Sequence, residues 1–91
     1  MTIVVVSRIL ESLDAYLSGA LSLEGLQRSI HASRGAIEGV PPNLSDAIDE
    51  ADGALELTRF GVPDDRQREE GRRTAEDLRE TVVTFLDDVS K

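Results

Sequence analysis

The sequence predicts an all-α fold, a small antiparallel bundle of three to four helices. Three observations carry this. Apolar residues recur at helical spacing in four stretches. The breaks Gly39-Val40-Pro41-Pro42 and Gly61-Val62-Pro63, with a lesser stop at Gly19, separate those stretches, because proline restricts its predecessor and cannot continue a helix. The β-branched run Ile3 to Val6, which would suit a strand, has no partner strand visible elsewhere in the chain.

The first helix is expected from Ser7, or from Thr2, to Ser18. At about 100° per residue, Val6, Ile9, Leu10, Leu13, Tyr16 and Leu17 share one arc, with Arg8, Glu11 and Asp14 opposite. Ile3–Val6 reads either as its first turn or as an extended lead-in. Gly19 suits a C-terminal stop. The second helix follows Ser22 as N-cap, with Glu24 in the first turn where the dipole favours a carboxylate. Leu23, Leu26, Ile30 and Ile37 form its stripe, and Gly35 is positioned to end it early. The third opens at Pro42 or Asn43, buries Leu44, Ala47, Ile48, Ala51 and Leu55, and stops by Gly61. The fourth begins in a stretch without large apolar side chains, PDDRQREEGRRT, where Asp64 is placed to cap. Glu69 with Arg73 and Arg72 with Glu76 are spaced for i,i+4 pairs. Ala75, Leu78, Val82, Phe85, Leu86 and Val89 then make a strong stripe, and Gly71 on the same face invites close approach of another helix. These segments predict about two-thirds of the chain as helix, with the first and fourth side by side. Leu13, Leu26, Ile48 and Phe85 are the expected core.

At 91 residues the chain is expected to be one domain, 1–91. Tyr16, Phe60 and Phe85 are its only aromatics, so the core must be aliphatic. The absence of cysteine removes disulfides and thiolate ligands and fits a reducing compartment. The apolar run in MTIVVVSRIL is too short for a signal core or a membrane span, so a cytoplasmic location is expected. Eighteen acids against ten bases give a net charge of −8, a field that repels phosphate backbones and attracts a basic protein. Solubility alone is the plainer use of such a charge.

Catalytic and metal-binding patterns are missing. His31 is the only histidine and falls on the polar side of the second helix, near Gln27 and Glu38, with no second ligand at zinc spacing. DAIDEADG fails as a calcium loop, because counting back from Gly53 puts Ile48 first and Glu50 third. No GxSxG, P-loop or GxGxxG occurs. The chain is therefore not expected to be an enzyme or to need a cofactor.

One constellation stands out. Between Asn43 and Thr58 lie five acids, Asp46, Asp49, Glu50, Asp52 and Glu56, and no base. On a helical wheel they span the outward half of the third helix. Carboxylates roughly 6 Å apart repel by about 0.7 kcal/mol per pair in water, so the stripe costs some stability. Leu57 and Phe60 project among these acids, unless the helix bends and tucks Phe60 under the fourth. An apolar pair ringed by carboxylates is the composition of a binding hot spot. The candidate partner-binding residues are therefore Asp46, Asp49, Glu50, Glu56, Leu57 and Phe60. An oligomerisation or adaptor module, with Val4, Leu57, Phe60 and Val83 as contacts between copies, is the alternative.

In residues 10 to 26, LESLDAYLSGALSLEGL, a helix ends in a tyrosine-containing stretch and a glycine, and a Ser-x-Glu start to the next helix follows. Through Tyr16, Leu17, Gly19, Ser22, Glu24 and Leu26, this segment resembles the opening of colicin D-type immunity proteins. The resemblance covers less than a fifth of the chain. It implies a small acidic helical inhibitor that covers the basic active site of a tRNA-cleaving nuclease toxin. The family's inhibitory acids do not map onto this chain residue by residue.

Overall fold

In the computed structural model, which describes residues 2–37 and 39–90, 84% of the described residues are helical and none is in a strand. The four helices are α1 (Thr2–Leu17), α2 (Leu23–Arg34), α3 (Pro42–Gly61) and α4 (Asp64–Val89). Helix content exceeds two-thirds because α1 starts at Thr2 and α4 is helical through its polar first half. The β-branched Ile3–Val6 run is helical. Val6 shares a face with Ile9 and Leu13, all fully buried, and that packing outweighs local strand propensity.

Each helix end has an identifiable cause. Gly19 adopts φ 90°, the left-handed conformation that glycine takes without strain. Its N–H reaches the Tyr16 carbonyl at 3.1 Å and that of Ala20 reaches Ala15 at 2.8 Å, the paired bonds of a Schellman stop. Ser22 caps α2, its Oγ accepting the Gly25 N–H at 3.0 Å. The helix then ends at Arg34, directly before Gly35. Ile37 therefore reaches the core from the linker rather than from the helix, and Glu38 lies outside the described residues. Pro42 opens α3 at a position where a missing N–H costs nothing. Asp64 does not cap α4; Pro63 holds that position, and the Asp64 carboxylate accepts the Gln67 amide at 3.3 Å. Gln67 also donates to the Arg59 and Val62 carbonyls at 3.2 and 2.9 Å, so α4 caps the end of α3.

The helices run up, down, up and down. Each packs on its chain neighbour, and α4 closes against α1. Antiparallel register is marked by Ser12 on Ser29 (2.7 Å), Arg34 on Asp49 (2.9 Å) and Arg79 on Asp14 (2.6 Å). Neither i,i+4 pair expected in α4 forms; Arg72 instead donates to the Leu17 carbonyl at 3.0 Å and caps α1. The core contains Leu13, Leu26 and Ile48, as expected, together with Ile30, Leu44, Leu55, Leu78 and Val82. Phe85 is a correction: it is half-buried and packs on the core margin, because Val82 fills the interior position one turn earlier. The bundle measures 41 × 22 × 17 Å, and no described helix is long and apolar enough to cross a membrane.

Gly71 marks a close approach of α4 to Tyr16 of α1 and Leu23 of α2. A β-carbon there would stand 2.2 Å from the Tyr16 hydroxyl and 3.0 Å from a Leu23 methyl. Gly71→Ala is expected to lower stability by about 1–3 kcal/mol despite alanine's better helix propensity, since both the Tyr16 ring and the Leu23 side chain would have to shift to admit the β-carbon. Chemical denaturation measures this; a variant more stable than the parent would show that the crossing has room.

Candidate functional site

The period of α3 divides its residues cleanly. Leu44, Ile48, Ala51, Leu55 and Thr58 face the core. Asp46, Asp49, Glu50, Glu56, Leu57 and Phe60 are all exposed and form one outward stripe with Gly53 in its middle. Leu57 is 69% and Phe60 72% exposed, the highest values among the exposed large apolar side chains. Phe60 is thus not tucked under α4. It sits at the last turn, where the core-facing positions are already taken by Leu55 and Thr58.

Two corrections reduce the acidic field. Asp52 does not belong to the outward half: it is 5% exposed. Four residues from Ile48 and three from Leu55, it lies on the flank that packs against α2. There its Oδ2 accepts from Arg34 at 2.6 Å and faces His31 Nδ1 at 3.0 Å. Asp49 remains on the surface, but Arg34 Nε donates to it at 2.9 Å. Asp46, Glu50 and Glu56 form no ion pair among the described residues. Asp46 and Glu50 stand one turn apart, an i,i+4 repulsion that the fold does not relieve.

Two arginines at this face carry no signal in the helical period. Arg34 crosses from α2 to α3, and its spacing from Asp49 and Asp52 in the antiparallel hairpin is the one sequence signal for it. Arg59, one residue past the acidic run, hydrogen-bonds Gln27 and lies 3.9 Å from Glu24 on α2. Its guanidinium carbon stands 4.7 Å from the centre of the Phe60 ring. Such a contact contributes about 0.5–1 kcal/mol at an exposed site. Arg59 is anchored to the neighbouring helix, so it holds one face of Phe60 and leaves the rest to solvent.

Burial pushes the Asp52 carboxyl up, but the hydrogen bonds from His31 and Arg34 outweigh it and hold the group below the usual carboxylate range. A carboxylate with a depressed folded pKa stabilises the fold above its unfolded value of about 3.9, and that stability is lost as pH falls through the folded value. Asp52→Asn is therefore expected to be less stable than the parent by about 1–2 kcal/mol near neutrality. The gap should close below about pH 4. Melting temperatures of both proteins across pH measure this, and a gap that persists in acid would show that packing, not charge, sets the difference.

His31 is committed to this ion-pair cluster. Among the described residues, no group of three or more His, Cys, Asp or Glu side chains gathers to hold a metal ion. What the arrangement offers is a surface: three unpaired carboxylates along one helix face, ending in two solvent-exposed apolar side chains. No family model, curated protein or solved structure is significantly similar to this chain.

Proposed function

We propose that the chain is an acidic protein-binding module whose contact surface is the outward face of α3 and whose partner is a basic protein. The exposure of Leu57 and Phe60 beside unpaired acids carries this reading. Burying those two side chains in a partner is worth about 1.5–3 kcal/mol each, before the costs of association. Asp46, Glu50 and Glu56 would draw a cationic surface in, and the apolar pair would slow its departure.

An immunity-type inhibitor of a nuclease toxin is the sharper form, supported by the resemblance around Tyr16 and Gly19. The carboxylates would then stand where such an enzyme grips phosphates and present no cleavable bond. Self-association through Val4, Leu57, Phe60 and Val83 has less support. Val4 lies at the end of the bundle opposite Phe60, and Val83 is half-buried, so the four share no single face.

The test begins with a photo-crosslinking residue at position 60 in native host cells, with position 4 as the comparison. Capture of a basic protein from position 60 only is expected. Because Arg34 already engages Asp49, charge reversal is made at Asp46→Lys with Glu50→Lys. The variant should melt near the parent temperature, bind the captured protein at least tenfold more slowly and lose the salt dependence of association. Undiminished binding by the folded variant would place the interface elsewhere. RNA cleavage by the captured protein, stopped by adding this chain, would single out the inhibitor form.

A further inference from the structure

We propose that the open depression between the α1–α2 turn and the first turns of α4 binds a small organic anion, a carboxylate or phosphate monoester on a short aliphatic body. The depression has a volume of about 400 Å³ and lies apart from the face of α3. Tyr16, Leu21 and Leu23 line one side, and Asp64, Arg68 and Arg72 the other. In a chain of net charge −8, this concavity carries two guanidiniums against one carboxylate.

Its donors are largely uncommitted. Arg68 makes no hydrogen bond or ion pair among the described residues. Arg72 gives one N–H to the Leu17 carbonyl, which fixes the guanidinium beside the depression and leaves further N–H groups free. The Tyr16 hydroxyl makes no hydrogen bond among the described residues and lies beside Gly71, where an added β-carbon would fall 2.2 Å from it. Burial pushes its pKa up, more than Arg72 and Arg68 pull it down, so the hydroxyl stays protonated and donates. Two planar guanidinium forks and a phenol hydroxyl match the oxygens of a carboxylate or phosphate. Leu21 and Leu23 offer an apolar wall for the carbon chain, and the Asp64 carboxylate lies at the α4 edge, disfavouring bulky polyanions.

The chain holds one tyrosine and no tryptophan, so its intrinsic emission reports this site alone. Butyrate, monobutyl phosphate, inorganic phosphate and n-butanol are titrated against that emission, with amide shifts of Gly19 and Gln67 followed by NMR. The expected result is saturation by butyrate and by monobutyl phosphate, the ester several-fold tighter than inorganic phosphate, with n-butanol silent. Arg68→Gln should retain the parent's helical spectrum and weaken binding about tenfold. Arg66→Gln, on the same turn but outside the depression, should not change it. No saturable signal, an equal signal from n-butanol, or equal weakening by both variants overturns the proposal. The relative affinities of butyrate and monobutyl phosphate tell a carboxylate ligand from a phosphate ester.

Discussion

Leu13→Ala is expected to destabilise the chain by about 2–5 kcal/mol, with Leu26→Ala and Ile48→Ala in the same range. All three side chains are essentially inaccessible to solvent and sit where different helices meet. Truncation removes transfer energy and leaves a cavity that an aliphatic core with few aromatics cannot refill. The loss is large beside the roughly 5–15 kcal/mol that holds a domain together. Phe85→Ala provides the contrast: it deletes a larger side chain, yet the half-buried ring should cost less per atom removed. Urea denaturation of the four variants decides the matter. A Leu13→Ala protein with the parent's midpoint would remove α1 from the core, and with it the bundle arrangement.

Leu57→Ser with Phe60→Ser is expected to do the opposite, leaving the fold alone and abolishing partner binding. Both side chains stand in solvent, so the melting transition should move by no more than about 1 kcal/mol equivalent, the worth of the Arg59 contact that Phe60→Ser removes. Affinity for the captured basic protein should fall by about 100-fold or more, the scale of losing a hot-spot pair. The loss should appear in the dissociation rate, whereas charge reversal at Asp46 and Glu50 should appear in the association rate. Val4→Ser, at the opposite end of the bundle, serves as the comparison and should change neither. If the double variant keeps its affinity, the exposure of Leu57 and Phe60 has another use and the proposed surface is wrong.

The separation of these two effects follows from how α3 is built. Core and surface alternate with a period close to 3.6 residues, so a change on the outward stripe reaches the interior only through the helix backbone. Gly53 interrupts that stripe, although an added β-carbon there would meet nothing within 4 Å. The fold does not require this glycine. The Asp52 cluster, by contrast, links α2 to α3, and disturbing it would mix a stability change into any binding measurement. For that reason Asp49 and Asp52 are poor places to probe the surface.

The sequence by itself determined the four helices, their breaks and most of the core. Those features depend on local chemistry: proline excludes helix, Ser22 satisfies an N-terminal N–H, Gly19 accepts a left-handed φ, and a period of 3.6 sorts apolar from polar side chains. It also located the outward stripe of α3 and all six of its candidate residues, because exposure on an amphipathic helix follows the same period. Only the tertiary structure decided which charges on that helix remain free. Asp52 and Glu56 are one turn apart and chemically alike, yet one is covered by α2 and paired while the other faces solvent. The spacing along α3 puts Asp52 nearer the core face, but where α2 crosses and how far Arg34 reaches decide that it is covered and paired, and neither is encoded in that spacing. Phe60, which the composition allowed in the core or on the surface, divides between the two. The period of α3 places it on the outward stripe; the tertiary structure adds Arg59 against one face of its ring, held there by Gln27 of α2, a link between residues far apart in the chain that local periodicity cannot register.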